Sequence, residues 1–210
     1  MRAIIIASGV CSADFAVTLY PKDVVIAVDG GYRHCVHWHI RPHVVIGDMD
    51  SLSNEDMEAI SLAGIPMHRH PPRKDQTDLE LALEYAVGLG ADTILLLAVL
   101  GARWDMTLGN VMVLRSPKLS GIAVRIIDGL QEIFLIRERA PEAFFGKKGD
   151  ILSLIPLTSE VTGVSTAGLE YPLRHETLYA GSTRGVSNVF LEETAMVSFE
   201  KGLMLCVIHH

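Results

Sequence analysis

The chain has 210 residues, 49% hydrophobic and 20% charged, enough apolar side chain to bury a core and too much for a disordered segment. Lys and Arg number 18 against 25 Asp and Glu; the net charge of -7 disfavours a general binder of nucleic-acid backbones and leaves a phosphate ligand to a metal ion or a local nest of backbone N–H groups. The longest apolar stretch, residues 93–101, is too short for the ~20 residues of a membrane span, and three scattered cysteines (Cys11, Cys35, Cys206) suit a reducing cytoplasm better than a disulfide scaffold or a zinc site.

The first element predicted is a buried strand over residues 3–7; no cleavage-site pattern follows it, which argues against a signal peptide. Residues 24–28, 44–46 and 94–100 are further runs apolar at every position, as in strands covered on both faces of a parallel sheet. Helical spacing lies between them: Met57, Ile60 and Ala63, then Leu79, Leu83, Ala86 and Val87, and after the last strand Leu108, Val111, Met112 and Leu114. This alternation predicts an N-terminal doubly wound, mainly parallel α/β domain over residues 1–129. The pattern changes at Asp128-Gly129, a pair that favours hairpins. Beyond it come short strand-like runs at 132–136, 151–155, 161–166, 186–191, 196–199 and 203–208, punctuated by turn residues such as Lys201-Gly202, with no amphipathic helix. They predict a small C-terminal antiparallel β-sandwich over residues 130–210.

Four polar clusters fall at the carboxyl ends of predicted strands, where open α/β sheets bind ligands. The densest is Gly47-Asp48-Met49-Asp50-Ser51. Carboxylates two residues apart can point into one crevice, and hard oxygen donors suit Mg²⁺ with substrate phosphates; the same pair also fits Asx-turns and a cap on the next helix. In Lys74-Asp75-Gln76-Thr77-Asp78-Leu79-Glu80, Thr77 with Glu80 fits a capping box and Asp78 a first helical turn, which leaves Lys74, Asp75 and Gln76 unused. Within residues 101–110, Arg103 is a candidate phosphate clamp, Asp105 fits an N-cap and Asn110 a solvent-facing position. Val28-Asp29-Gly30-Gly31 ends the second strand; its glycines allow positive φ and close approach by a ligand, or a turn with no ligand. Neither G-x-G-x-x-G after the first strand nor a Walker A loop is present. His68 and His70 share a strand face without a third ligand for zinc. Together the four clusters predict an acidic, Mg²⁺-dependent site for a phosphate ligand.

In order along the chain, VDGG at 28–31, IGDMDS at 46–51, KDQTDLELAL at 74–83, GARWDMTLGN at 101–110, GVSTAGLEYPL at 163–173 and GVSN at 185–188 resemble the thiamine pyrophosphokinase (thiamine diphosphokinase) family, over nearly the whole chain. The resemblance implies an N-terminal α/β catalytic domain that binds ATP and Mg²⁺, a C-terminal β-sandwich that binds thiamine, and a cytoplasmic homodimer with the thiamine site at the subunit interface. The implied reaction transfers the pyrophosphate of ATP to the hydroxyl of thiamine, giving thiamine diphosphate and AMP. By the family's pattern, Asp48, Asp50 and Asp78 hold Mg²⁺. Asp29, Gly30, Ser51, Lys74, Gln76, Thr77 and Asn110 surround ATP, and Ser187 and Asn188 meet thiamine. Arg103 stabilises charge on the transferring group, and Asp105 positions or deprotonates the thiamine hydroxyl. Trp104 is either an aromatic wall of the site or core. The family's G-G-R-x-D-H motif is altered at Ala102 and Met106, and Met106 cannot donate a hydrogen bond. The alternative is a catalytically weak thiamine- or nucleotide-binding dimer that keeps the fold. Neither nucleic acid nor membrane is an expected partner.

Overall fold

Strands that are apolar at every position need cover on both faces, and the chain supplies it with helices between them. The computed structural model describes residues 1–11, 17–101 and 103–210, with the backbone alone at 138–140. The chain forms two units, Met1–Gly129 and Leu130–His210. Among the described residues of the first are β1 (Arg2–Ile6), β2 (Val24–Val28), β3 (Val44–Gly47), β4 (Met67–Arg69), β5 (Thr93–Leu97) and β6 (Ala123–Asp128). Their order is β6-β5-β1-β2-β3-β4 and every neighbouring pair is parallel. Consecutive Ile4, Ile5 and Ile6 have no exposed surface, which requires both faces to be covered. On one face Ile4, Ile6, Val25 and Val45 pack with Tyr32 and Cys35 of α1 (Tyr32–His37) and Ile60 of α2 (Asn54–Leu62). Helix α3 (Asp78–Gly88) lies over β1, β2 and β3 and buries Leu79, Ala82, Leu83 and Ala86. Helix α4 (Trp104–Met112) follows β5.

The chain winds from β1 through β2 and β3 to one side, and from β5 to β6 on the other. The strand order therefore reverses between β1 and β5, and the crevice at such a switch point opens at the carboxyl ends of the strands. The apolar run predicted as strand to residue 100 ends its pairing at Leu97, because Ala98 takes φ 53 and turns the chain aside.

The second unit contains β7 (Gln131–Phe145), β8 (Ile151–Pro156), β9 (Glu160–Ala167), β10 (Glu176–Tyr179), β11 (Asn188–Val189) and β12 (Thr194–His209), and every pair is antiparallel. Strand β12 pairs with β7 along its length, with β9 through its first half and with β8 through its second. Phe134, Phe144, Leu154, Leu178, Phe190 and Met204 belong to one shared core.

Two expectations are corrected here. The turn predicted at Lys201-Gly202 is a bulge inside one strand. Phe199 pairs with Arg139 and Leu203 with Arg137, so three residues of β12 oppose one of β7, and Gly202 takes φ 123. Strand β7 runs 15 residues rather than five. Its charged middle hides the alternation, and Pro141 sits in a register shift, where a missing N–H is tolerated. Among the described residues no helix is long and apolar enough to cross a membrane.

Candidate active site

Where β1, β2, β3 and β5 end, the chain turns out of the sheet around a cavity of about 660 Å³. Ser8 and Gly9 line it after β1, Asp29 after β2, Asp48, Asp50 and Ser51 after β3, and Ala98 to Gly101 after β5. Lys74, Gln76, Thr77 and Asp78 enter from the start of α3, and Arg103, Met106, Thr107 and Asn110 from α4. Three non-glycine residues at these strand ends hold the left-handed conformation: Asp29 (φ 46), Met49 (φ 70) and Ala98 (φ 53). Each costs on the order of 1 kcal/mol or more, a concentration typical of functional clefts.

Close backbone packing narrows the floor of the crevice. The Gly9 N–H donates to the Ala98 carbonyl at 2.6 Å, and a Cβ on Gly9 would lie 2.2 Å from the Leu100 oxygen. The glycine pair after β2 works differently from the expectation. Asp29, not a glycine, carries the positive φ; Gly31 has φ -59 and is small because a Cβ would meet the Ile6 oxygen at 2.1 Å. The close approach is by the protein's own backbone.

Carboxylate oxygens of Asp29, Asp48 and Asp50 all lie within 4.8 Å of one another. The Asp50 N–H donates to Asp48 Oδ1 at 3.0 Å, so the Asx-turn exists, and Ser51 Oγ donates to Asp50 Oδ1 at 3.1 Å. Neither aspartate caps α2. Ser53 does that, accepting from the Asp56 N–H at 3.1 Å while its own N–H donates to Asp56 Oδ2 at 3.0 Å. Asp29 is 8% exposed, and its Oδ1 is buried without a hydrogen-bond partner. An orphaned carboxylate oxygen costs about 1–3 kcal/mol or more, and its position beside two further carboxylates fits the oxygen donor set of a hard divalent cation. Asp78 faces the same crevice but lies 3.0 Å from Lys74 Nζ, in an ion pair without hydrogen-bond geometry. Lys74 Nζ is also 3.9 Å from Asp48 Oδ2. The structure thus groups Asp29 with Asp48 and Asp50, and sets Asp78 across Lys74.

Thr77 Oγ1 caps α3 by accepting from the Glu80 N–H at 3.2 Å. The capping box is half formed, because Glu80 Oε1 accepts instead from Gln76 Nε2 at 3.3 Å. Gln76 also donates to Glu84, and Lys118 and Gln76 together hold the Glu84 carboxyl below its ordinary range. Asn110 is buried, contrary to a solvent-facing position, and its Nδ2 donates to the Val99 carbonyl at 2.6 Å. Thr107 Oγ1 accepts from the Gly101 N–H at 3.0 Å and donates to the Gly101 carbonyl at 3.1 Å. Ala102 lies outside the described residues.

The N-cap of α4 is Arg103, so Asp105 does not hold that position. Arg103 Nε donates to Asp105 Oδ1 at 3.2 Å on the open rim, which raises the guanidinium pKa and holds the Asp105 carboxyl below its ordinary range. Trp104 is 74% exposed and is not core. In the second unit, Asn188 spends its amide internally: Oδ1 accepts from the Tyr171 and Val189 N–H groups, and Nδ2 donates to the Tyr171 carbonyl at 2.7 Å. Ser187 is exposed at φ 60, with its N–H on Ser153 Oγ.

Sequence reasoning passed over Ser8-Gly9, Ala98 and Thr107. The available signal was a Ser-Gly pair directly after the first apolar run, obscured by the absence of a glycine fingerprint.

The chain matches the family described as Thiamin pyrophosphokinase, catalytic domain, over residues 15–126, and that described as Thiamin pyrophosphokinase, vitamin B1 binding domain, over residues 136–204. The thiamine pyrophosphokinase of Bacillus subtilis (strain 168) is 29% identical over 182 residues, 87% of this chain and 85% of that protein. Thiamine pyrophosphokinase 1 of Oryza sativa subsp. japonica is 28% identical over 178 residues, 80% of this chain and 67% of that protein. The crystal structure of a thiamine pyrophosphokinase from Bacillus subtilis superposes with a TM-score of 0.89 at 25% identity, covering 100% of this chain and 99% of that one. With both family regions matched in order, one in each unit, the chain belongs to the thiamine pyrophosphokinase family.

Proposed function

We propose that the protein transfers the pyrophosphoryl group of ATP to the hydroxyl of thiamine. The hydroxyl oxygen forms a bond to the β-phosphorus of ATP, the bond from that phosphorus to the α,β-bridging oxygen breaks, the hydroxyl proton leaves, and the products are thiamine diphosphate and AMP. The observation that carries this function is the convergence of Asp29, Asp48 and Asp50 in the switch-point crevice of a chain of this family.

Asp48, Asp50 and Asp78, joined by the unpartnered oxygen of Asp29, would hold Mg²⁺, which when bound neutralises phosphate charge. Ser51, Lys74, Gln76 and Thr77 line the space for ATP, Gly30 is buried against Ser8 and Ser51 rather than lining it, and Asn110 holds the loop after β5 in place around it. Arg103 offers its fork to charge developing on the transferred group. Asp105 orients Arg103; a carboxyl held low by a guanidinium is a weak base. In the second unit, Ser187 and Asn188 mark the thiamine segment, shared between the subunits of a homodimer. An apolar stripe on α4, Trp104, Leu108 and Met112, supports the dimer, being exposed in the single chain. Three cysteines far apart in the sequence, Cys35 and Cys206 of them buried, support residence in the cytoplasm. A catalytically weak binding protein is not favoured, because binding a cationic vitamin gives no reason to keep Asp29 buried and unpartnered.

The test is a chromatographic assay with thiamine, ATP and Mg²⁺. Equimolar AMP and thiamine diphosphate, both abolished by a chelator, are expected. ADP with thiamine monophosphate, or no turnover, would overturn the assignment.

A further inference from the structure

Lys74 occupies an unusual position for a residue expected only to meet phosphate. Its Nζ lies 3.0 Å from Asp78 Oδ1, 3.9 Å from Asp48 Oδ2 and 3.1 Å from the Pro71 carbonyl oxygen, to which it donates. The side chain is only 15% exposed. Asp29, Asp48, Asp50 and Asp78 put four carboxylates into one crevice. Among the described residues no other Lys or Arg forms an ion pair with any of them: Arg103 is paired with Asp105, Lys118 with Glu80 and Glu84, and Arg33 with Asp56. The ammonium therefore bridges the loop after β3 to the first turn of α3, on two of the carboxylates that the preceding section gives to Mg²⁺.

We propose that Lys74 is an internal counterion, resting on Asp48 and Asp78 in the metal-free protein and yielding them when a divalent cation binds. The proposal rests on the metal assignment above. An ammonium and a metal cannot use the same carboxylate lone pairs at once. Lys74 therefore weakens metal binding in the absence of nucleotide. Its four-carbon stem carries a compact charge with rotatable donors, so on release it can reach phosphate oxygens in the same crevice. Metal and nucleotide binding become linked through one side chain: whatever draws Lys74 off the carboxylates favours the cation, and the reverse.

The test is calorimetric titration of the full chain with Mn²⁺ alone, without nucleotide, at fixed ionic strength. Lys74→Met should bind Mn²⁺ about tenfold tighter than the parent. Arg73→Met removes the same charge from the neighbouring exposed position and should change affinity less than twofold. Lys74→Gln repeats the measurement should Lys74→Met fold poorly, as judged by its thermal melt. Adding Asp50→Asn to Lys74→Met should remove the tight binding, which places the ion in this crevice. Equal effects of Lys74→Met and Arg73→Met, or weaker binding by Lys74→Met, would overturn the counterion role and leave the metal assignment standing. No Mn²⁺ binding by parent or variant would overturn both.

Discussion

Asp29 combines three features that folding alone gives no reason to keep. It is buried, it holds φ 46, and its Oδ1 has no hydrogen-bond partner. Glycine adopts that φ without strain and removes the orphaned oxygen. Asp29→Gly is therefore expected to be at least as stable as the parent in chelator-treated protein, by up to about 1 kcal/mol in urea denaturation, while turnover falls about 100-fold or more. A loss of stability would mean that the carboxylate is structural. That Asp48, Asp50, Lys74 and Arg103 line one crevice was legible because charged side chains cluster in the loops that follow the strands. The partnership of Asp29 with Asp48 was not, since residues nearly twenty apart meet only through the parallel pairing of Val28 with Ile46. Gly9 and Thr107 escaped notice because their contacts are to backbone, and Asn110 looked exposed because its acceptor, Val99, lies on the preceding loop.

At the scale of elements, the start of β1 is pinned to the entry of β2 by a partly buried ion pair. Arg2 Nε donates to Asp23 Oδ1 at 3.0 Å, Arg2 also donates to the Thr18 carbonyl, and the Tyr20 N–H donates to Asp23 Oδ2 at 2.7 Å. The bond from Arg2, helped by that from Tyr20, holds the Asp23 carboxyl below its ordinary range. A carboxyl lowered in the folded state stabilises fully above its unfolded pKa, about 3.9, and that contribution disappears as pH falls through the lower folded value. Asp23→Asn should cost about 2 kcal/mol at pH 7, with the gap from the parent closing as pH drops below about 4. Trp38 and Trp104 both belong to this unit, so tryptophan fluorescence follows its unfolding, and a gap independent of pH would reject the account. The α3 cap makes a second prediction: Thr77→Ala costs about 1 kcal/mol in the same assay and Thr77→Ser restores it. Elements bounded by caps and continuous apolar runs were legible. The bulge in β12 was not, because a break in alternation at Lys201-Gly202 looks the same whether the chain turns or kinks.

For the whole molecule, the parallel class of the first sheet follows from burial at successive residues, which single-faced sheets do not allow. The order β6-β5-β1-β2-β3-β4 does not follow, since other parallel orders would bury the same side chains equally well. Helix α4 shows where such inference stops. Its apolar positions imply packing, yet Trp104, Leu108 and Met112, spaced four apart on one helix face, are 74%, 58% and 44% exposed. The single chain therefore leaves this stripe without cover, beside Arg103 and Met106 of the crevice. If a second copy of the chain provides the cover, as the homodimer assignment requires of some surface, a charge at its centre should separate the subunits. Leu108→Asp should change the fold stability of the monomer by less than about 0.5 kcal/mol, because the residue is exposed there, but shift the protein from dimer to monomer. Light scattering across the assay concentrations reads the mass, and turnover measured in the same samples should fall at least tenfold where the monomer dominates. A Leu108→Asp protein that stays dimeric at the parent's rate would move the interface off α4.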